Sequence, residues 1–266
     1  MSVSSMHTIE MDRSPSGVTF ATYLHFPDDA HLSMLQLEEM WRLLYEINDD
    51  AASRCLVLTG DGDLFFQGPS LGAIAEMRKD TDAILSAMDG GRRLIEAVLA
   101  FQKPLVAAVN GPAIGAGTSL ALLCDFILAS PSAEFRDPHV LIGVPAGDGG
   151  TLIWPLLLGF AAAKRHLLLG ERLSGQAALE AGILTKLVDA DSLNLEARAL
   201  AERLVALPRF ALEGTKAALN QWLRASWLHG GEYAYAMQLA GQLLPDSRAI
   251  IGDLVEREQA RRKRDE

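Results

Sequence analysis

The stretch PLVAAVNGPAIGAG, residues 104–117, decides the fold. Its segment LVAAV (105–109) is a continuous apolar run, typical of a strand buried on both faces, and AGTSLALL (116–123) has the composition of a buried helix. The glycine-rich turn between them would aim unpaired amides and the positive end of the helix dipole at whatever lies in front. This arrangement suits a developing oxyanion, although a close-packed turn without a ligand would use the same residues.

The same alternation of strand and helix continues on both sides of this stretch, which predicts an α/β fold. After about residue 195 the strand signals vanish and helical spacing takes over, ending in a basic tail at 261–264. We therefore predict an α/β core at 1–195 and a helical region at 196–266 that serves oligomerisation. The predicted strands are 18–26, 55–59, 105–109 and 126–129, and the predicted helices are 32–47, 81–101, 116–123, 193–206, 209–224 and 231–244.

Composition excludes several classes of protein. The 266 residues include 24 Lys and Arg against 34 Asp and Glu, a net charge of −10, which argues against nucleic-acid or anionic-membrane partners. Cys55 and Cys124 lie in apolar runs far apart, so we expect reduced core cysteines rather than a zinc site or a disulfide framework. The N-terminus lacks a signal-peptide pattern, and the apolar stretch 113–129 is shorter than the roughly 20 residues of a membrane span. A soluble, cytoplasmic protein is expected.

The 23 glycines do not form a nucleotide cradle. The run GAGTSL at 115–120 has Leu120 where a dinucleotide fingerprint needs its third glycine, and no GxxxxGK[ST] motif is present. We expect no cofactor and no metal.

A second loop, FFQGPSLG (65–72), contains GPSLG, a formal match to the nucleophile elbow of serine hydrolases. His139, His166 and His229 follow as possible bases. Pro69 counts against an elbow, because its fixed φ restricts the strained turn before Ser70.

The third stretch, FRDPHVLIGVPAGDGG (135–150), carries the strongest chemical signal. His139 and Asp148 are nine residues apart around a loop rich in Gly and Pro, which can bring the two side chains together. An aspartate that accepts from one imidazole nitrogen would leave the other nitrogen as a general base for water. Two structural alternatives stay open: Asp148 as the cap of a following helix, and His139 as a structural loop histidine.

Together these stretches resemble the enoyl-CoA hydratase/isomerase (crotonase) superfamily over nearly the whole chain. The resemblance rests on 55–66, 104–117, 135–151 and 168–184. It implies a spiral of ββα units with a C-terminal helical region, assembled as a homotrimer or hexamer. It also implies a small carbonyl or acyl-CoA substrate whose oxyanion or enolate is held by two backbone amides.

Under the resemblance, the second oxyanion amide corresponds to Ala116, after Gly115. The first corresponds to the residue after Gly68, which here is Pro69 and has no N–H. The amide of Ser70, or a side chain, would have to replace it.

The catalytic positions also differ from the family pattern. Ser119 and His139 occupy the positions of the two glutamates of the hydratases, so two-glutamate hydration is disfavoured. Asp148 corresponds to the catalytic aspartate of dienoyl-CoA isomerases and aryl-CoA dehalogenases.

Within the superfamily, the catalytic stretch is most similar to the β-diketone hydrolases of the 6-oxocamphor hydrolase group. GDG at 147–149, WP at 154–155 and the nine-residue spacing of His139 and Asp148 carry this similarity. The leading hypothesis is that His139, oriented by Asp148, activates water to hydrolyse a carbon–carbon bond of a β-dicarbonyl compound. The alternatives are an acyl-CoA hydratase, isomerase or lyase that uses Asp148 for proton transfer, and an inactive binding subunit.

Overall fold

The computed structural model describes residues 6–26 and 30–265, which form two β-sheets flanked by helices. The strands are β1 (Ile9–Arg13), β2 (Val18–Tyr23), β3 (Cys55–Gly60), β4 (Leu105–Val109), β5 (Pro112–Ile114), β6 (Phe126–Ala129), β7 (Glu134–Arg136), β8 (Leu173–Ser174) and β9 (Lys186–Leu187). The α-helices are α1 (Ala30–Asp49), α2 (Leu71–Met77), α3 (Thr81–Ala100), α4 (Ala116–Leu123), α5 (Gly150–Leu169), α6 (Gly175–Glu180), α7 (Leu193–Val205), α8 (Arg209–Ser226), α9 (Glu232–Leu243) and α10 (Pro245–Asp265).

The larger sheet has the strand order β1-β2-β3-β4-β6-β9 and is parallel from β2 onward. Its central strands are covered on both faces, because parallel neighbours need helical crossovers that pack on the sheet. In β3 the side chains of Leu56 and Leu58 join one core cluster with α1 and α3, whereas Cys55 and Val57 join the other with α7. The continuous apolar runs in the sequence are thus explained, and the predicted α/β class is confirmed.

The smaller sheet, β5-β7-β8, positions the N-terminus of α4 and the loop that follows β7. In it β5 leads directly into α4, and β7 runs parallel to β5 with Ile114 opposite Arg136. The loop after β7 therefore begins beside the N-terminus of α4, which brings 137–148 close to 115–116.

The predicted division at residue 195 falls inside α7. The buried side of α7, including Ala197 and Ala201, belongs to the core cluster on the larger sheet. Beyond it, α10 returns to pack against α2 and the 3₁₀ turn His139–Ile142. The division into a core and an oligomerisation region stays a prediction.

The elements that the sequence pattern did not predict include β1, β5 and α2, each of which is short or exposed. Strand β1 is an edge strand with alternating exposure, and β5 is a three-residue strand inside the glycine-rich turn. Helix α2 has seven residues and begins after a serine cap. Elements of this size carry too little apolar periodicity to be recognised.

The two cysteines match the expectation for core thiols: both are free and buried. Burial raises the pKa of the Cys55 thiol to about 12 and also raises the pKa of Cys124. Neither thiol therefore has the thiolate character that reactivity requires.

Helix α5 is long and apolar enough to cross a membrane by length and composition alone, a stretch that the sequence analysis overlooked. It contains Pro155, and the backbone at Gly159 leaves the helical region with φ 75°. Its buried residues include Trp154 and His166, whose rings stack 4.7 Å apart in the core. The helix is therefore kinked and anchored in the core on one side, while only 28% of its apolar window is buried.

Candidate active site

The two candidate oxyanion loops are joined by backbone hydrogen bonds. Ile114 N donates to Phe66 O at 2.8 Å, and Phe66 N donates to Pro112 O at 3.3 Å. A Cβ on Gly117 would lie 2.2 Å from Phe66 O, so only glycine allows α4 to approach the first loop this closely. The loop at 65–70 is thereby fixed beside the start of α4.

Asn110, which the sequence analysis did not single out, holds the loop between β3 and Phe65. Its Nδ2 donates to Gly60 O, Gly62 O and Leu64 O at 2.8–3.2 Å, and its Oδ1 accepts from Gly60 N at 3.0 Å. An asparagine directly after a buried strand, facing a second glycine-rich loop, is the signal that could have identified it.

The Ala116 amide is the candidate oxyanion donor. Ala116 is the first residue of α4, so its N–H has no acceptor within the helix. Gly115, the N-cap, offers no capping side chain, and its own amide donates to Arg136 O at 2.9 Å. Both residues line a mainly apolar cavity.

The first loop contributes Gly68, Pro69 and Ser70 to the same cavity. Pro69 has no N–H to offer, as the sequence implied. Ser70 is the N-cap of α2, and its Oγ accepts from Ala73 N at 3.2 Å. The serine of the GPSLG motif therefore has the geometry of a helix cap, which sets the nucleophile-elbow interpretation aside.

The other histidines proposed as bases are engaged elsewhere. His166 Nδ1 donates to Glu171 O at 3.0 Å, and His229 Nδ1 donates to Ala225 O at 2.6 Å. Neither lines the cavity.

The centre of the cavity wall is a linear set of three side chains, Asp137, His139 and Asp148, here called the proton array. His139 Nδ1 lies 2.6 Å from Asp137 Oδ1, and His139 Nε2 lies 3.2 Å from Asp148 Oδ2. All three residues are buried or nearly so, and His139 and Asp148 line the cavity. A Cβ on Gly115 would lie 3.5 Å from His139 Cε1, so the array adjoins the second oxyanion loop.

The array corrects the expected division of labour. Asp148 was expected to engage one ring nitrogen and leave the other free, but each ring nitrogen faces a carboxylate. Burial lowers the pKa of His139, but the Asp148 and Asp137 carboxylates outweigh it, and the pKa stands well above its usual value. The raised pKa favours the protonated ring, and because both ring nitrogens face carboxylates, neither is free to accept a proton from water.

Asp137 is the residue of the proton array that the sequence analysis missed. Its Oδ1 also accepts from His139 N at 3.2 Å, an Asx-type turn across Pro138. The Asp-Pro dipeptide, which favours the start of a turn, could have indicated that this carboxylate folds back onto the residue two positions later.

Two further expectations are resolved by the geometry. Asp148 is not a helix cap, since the N-cap of α5 is Gly149 and no side chain caps it. Ser119 is fully buried in α4 and does not line the cavity. Its Oγ would lie 3.4 Å from a Cβ on Gly149, so the turn after Asp148 packs between this hydroxyl and the cavity.

The cavity encloses about 420 Å³. Its walls are mainly apolar, with Leu37, Ile74, Met88 and Ile114 among them, and its polar lining residues include His139 and Asp148. A few placed polar groups in an apolar pocket are typical of a small-molecule site.

The three array side chains could by number and proximity hold a metal ion. The imidazole, however, lies between the two carboxylates, and each carboxylate already has a ring nitrogen at hydrogen-bond distance. The hydrogen-bond contacts of the ring are those of a proton-transfer group, and ligand atoms of the three residues lie within 4.8 Å of one another.

Comparisons with known proteins extend these observations. The family described as enoyl-CoA hydratase/isomerase matches residues 23–240. The crotonyl-CoA hydratase of Syntrophomonas wolfei is 34% identical over 184 residues, 67% of this chain and 68% of its own. The 2,3-dehydroadipyl-CoA hydratase of Escherichia coli is 39% identical over 174 residues, 65% of this chain and 66% of its own.

Two solved structures are similar over most of the chain. An enoyl-CoA hydratase/isomerase from Mycobacterium paratuberculosis has a TM-score of 0.86 and 32% identity, covering 92% of this chain and 98% of its own. A β-diketone hydrolase from Anabaena has a TM-score of 0.80 and 24% identity, covering 89% and 94%. The second likeness is one of fold alone.

Proposed function

Because the chain belongs to the enoyl-CoA hydratase/isomerase family and has its crotonase fold, we propose that it is an enzyme of this family that hydrolyses a carbon–carbon bond of a β-dicarbonyl compound. The observation that carries the proposal is the proton array, whose His139 and Asp148 line the cavity, with His139 at a position that corresponds, under the resemblance, to a glutamate of the hydratases. An oxyanion donor, Ala116, and a proton-transfer group, Asp148, line the same apolar cavity.

In the proposed reaction Asp148 is the base. It accepts a proton from water while the water oxygen attacks one carbonyl carbon, and the Ala116 amide holds the resulting oxyanion. The tetrahedral adduct then breaks its bond to the central carbon, whose electron pair becomes an enolate. Asp148 returns the proton to that carbon, so one water is consumed and an acid and a ketone are formed.

His139 stays protonated throughout this sequence. Its two N–H groups donate to Asp137 and Asp148, which fixes the orientation of the catalytic carboxylate. Its positive charge offsets the negative charge that develops on the substrate in a site of low polarity. The roles of His139 and Asp148 are thus reversed relative to the sequence hypothesis.

The number of acid–base groups favours hydrolysis over two-glutamate hydration. Ser119 and His139 replace the two glutamates, and Ser119 lies outside the cavity wall. One carboxylate suffices for carbon–carbon hydrolysis, because the same group takes the proton from water and gives it to carbon.

The test is turnover of cyclic β-diketones in ¹⁸O-water and in D₂O. With a β-diketone whose central carbon carries two alkyl groups, and so has no hydrogen to exchange with solvent, we expect a keto acid with one ¹⁸O in its carboxylate and one deuterium on the former central carbon. The His139→Ala variant should lose about 10²- to 10³-fold in kcat, because it removes a charge that stabilises the developing oxyanion, whereas His229→Ala, a surface control, should not. Full activity of His139→Ala would exclude the mechanism.

A second candidate is an acyl-CoA hydratase, isomerase or lyase in which Asp148 moves the proton. The names of the relatives favour it, since the crotonyl-CoA and 2,3-dehydroadipyl-CoA hydratases are acyl-CoA enzymes. Calorimetric titration with octanoyl-CoA separates the two. Micromolar binding supports the acyl-CoA candidate, and absence of binding at millimolar ligand supports the CoA-independent one.

We also propose that the chain assembles as a trimer or hexamer. Large apolar side chains are exposed along α5 and α8, among them Phe160, Phe210 and Trp222. Apolar patches of this kind mark protein interfaces in soluble proteins. Sedimentation equilibrium measures the mass, and a monomer at micromolar concentration would contradict the proposal.

A further inference from the structure

Gln238 of α9 is a cavity-lining amide whose polar atoms the fold does not use. It is only 4% exposed, and its Oε1 is buried with no hydrogen-bond partner among the described residues. A buried amide left without partners is costly, so such a group calls for a reason.

Gln242, on the same face of α9, is an amide whose side chain the fold does use. Gln242 also lines the cavity, but its Oε1 accepts from Arg78 Nε at 2.6 Å. Arg78 in turn donates to the carbonyls of Ile142 and Ser247, which ties α2, the 3₁₀ turn and α10 together. Gln242 is therefore fixed by the fold, whereas Gln238 is available.

The position of Gln238 places it beside the catalytic carboxylate. A Cβ on Gly147 would lie 2.6 Å from Gln238 Oε1 and 2.7 Å from Gln238 Cβ. Gly147 directly precedes Asp148, so the amide packs against the backbone next to the proton array. Any side chain at residue 147 would displace it.

We propose that Gln238 donates a hydrogen bond from its side-chain amide to a substrate oxygen and replaces the oxyanion donor that Pro69 cannot supply. The inference rests on the oxyanion chemistry of the proposed function. A β-dicarbonyl substrate has two oxygens that become charged in turn, one in the tetrahedral adduct and one in the enolate. Ala116 and Gln238 are the two donors that stabilise this charge.

The amide has the freedom to make this contact. Exchanging its oxygen and nitrogen by a half-turn of the terminal bond hardly changes its shape. The Nε2 group can thus face either the substrate or Gly147.

The first experiment is the Gln238→Leu variant, which keeps the bulk of the side chain and removes the donor. Loss of one oxyanion donor typically lowers kcat by about 10²- to 10³-fold, and we expect a loss in this range with little change in KM. Gln221→Leu, on the exposed side of α8, is the matched control and should keep wild-type kcat. Wild-type kcat in Gln238→Leu would overturn the proposal.

A second variant separates a catalytic donor from a structural role. Pro69→Ala restores a backbone N–H in the first oxyanion loop, so it should rescue Gln238→Leu by about 10-fold or more while leaving Tm unchanged. A purely structural glutamine would not be rescued by a new amide on another loop. Lack of rescue overturns the proposal, and rescue of Gln67→Leu instead would assign the donor to Gln67.

A binding measurement distinguishes failure of this inference from failure of the proposed reaction. The probe is the enolate of 5,5-dimethylcyclohexane-1,3-dione, titrated calorimetrically into the wild type and Gln238→Leu. We expect a Kd about 10- to 100-fold weaker in the variant, the range for a hydrogen bond to a charged group. Equal Kd values, or no binding to the wild type at millimolar probe, overturn the donor. A weakened Kd without turnover of any β-diketone retains the donor and rejects the reaction.

Discussion

The proton array and a second charge cluster, formed by the buried Lys103 and Lys216 with the more exposed Asp125, use ionised side chains in opposite ways. In the second cluster, Lys216 Nζ donates to Asp125 Oδ2 and Lys103 O, each at 2.7 Å. Lys103 Nζ donates to Ile47 O and Asp50 O, each at 2.5 Å. These contacts join α1, α8 and the loop before β4.

The two clusters differ in which of their polar atoms lack a hydrogen-bond partner. In the array, Asp137 Oδ2 and Asp148 Oδ1 are buried without a hydrogen-bond partner among the described residues, whereas no atom of the Lys103 cluster is in that position. Burial lowers the pKa of Lys103, but the pKa of His139 is raised by its carboxylates against the effect of burial. Polar atoms that all have hydrogen-bond partners stabilise a fold, whereas polar atoms without partners next to a cavity are available to a substrate.

The largest effect that this comparison predicts is on catalysis. Asp148→Asn keeps the size of the side chain but removes the base, so we expect kcat to fall by about 10³-fold, within the range for general acid–base groups. The Tm should change little, because Asn can still accept from His139. Steady-state kinetics and a thermal melt on the same sample measure both. Retained activity would place the base elsewhere.

The converse prediction is a variant of the second cluster that loses stability but keeps its activity. Lys216→Met removes two charge-assisted hydrogen bonds, to Asp125 Oδ2 and to Lys103 O, which should lower the free energy of unfolding by about 2 kcal/mol. Urea unfolding measures the loss, and kcat should stay at the wild-type value because this cluster does not line the cavity. A fall in kcat in the folded variant would mean that the two clusters are coupled.

The pH dependence of stability should also separate the clusters. The pKa of His139 is raised in the folded state, so the folded chain keeps a proton that the unfolded chain releases above about pH 6.5. The stabilisation is complete below that pH and is lost as the pH rises through the folded-state pKa, with a slope of at most about 1.4 kcal/mol per pH unit. His139→Gln should flatten this slope in urea unfolding between pH 6.5 and 9. An unchanged slope would show that other groups cause it.

The sequence predicted the fold well because its central strands and helices are long and apolar. The predicted bounds 105–109, 116–123 and 126–129 coincide with β4, α4 and β6, and the crotonase fold implied by the resemblance is confirmed.

The candidate site was predicted less completely, for a physical reason. The pairing of His139 with Asp148 followed from a flexible loop of suitable length, and the two side chains do meet. The second carboxylate, Asp137, and the amide of Gln238 did not follow. Asp137 lies two residues from His139, and this spacing alone does not fix the direction of its side chain. The contact of Gln238 with the loop at residue 147 depends on the packing of α9, which the local sequence pattern does not encode.

The smallest predicted effect contrasts Ser70, at the cavity, with Ser174, far from it. Both serines cap a helix, with Oγ accepting from Ala73 N and Ala177 N at 3.2 Å, respectively. Ser70→Ala and Ser174→Ala should therefore each lower the free energy of unfolding by about 1 kcal/mol, measured by urea unfolding. The wild type should resist labelling by a fluorophosphonate, because a capping hydroxyl without a base is not a nucleophile. Labelling that disappears in Ser70→Ala but persists in Ser174→Ala would restore the hydrolase elbow and make the position of Ser70 in the cavity a catalytic one.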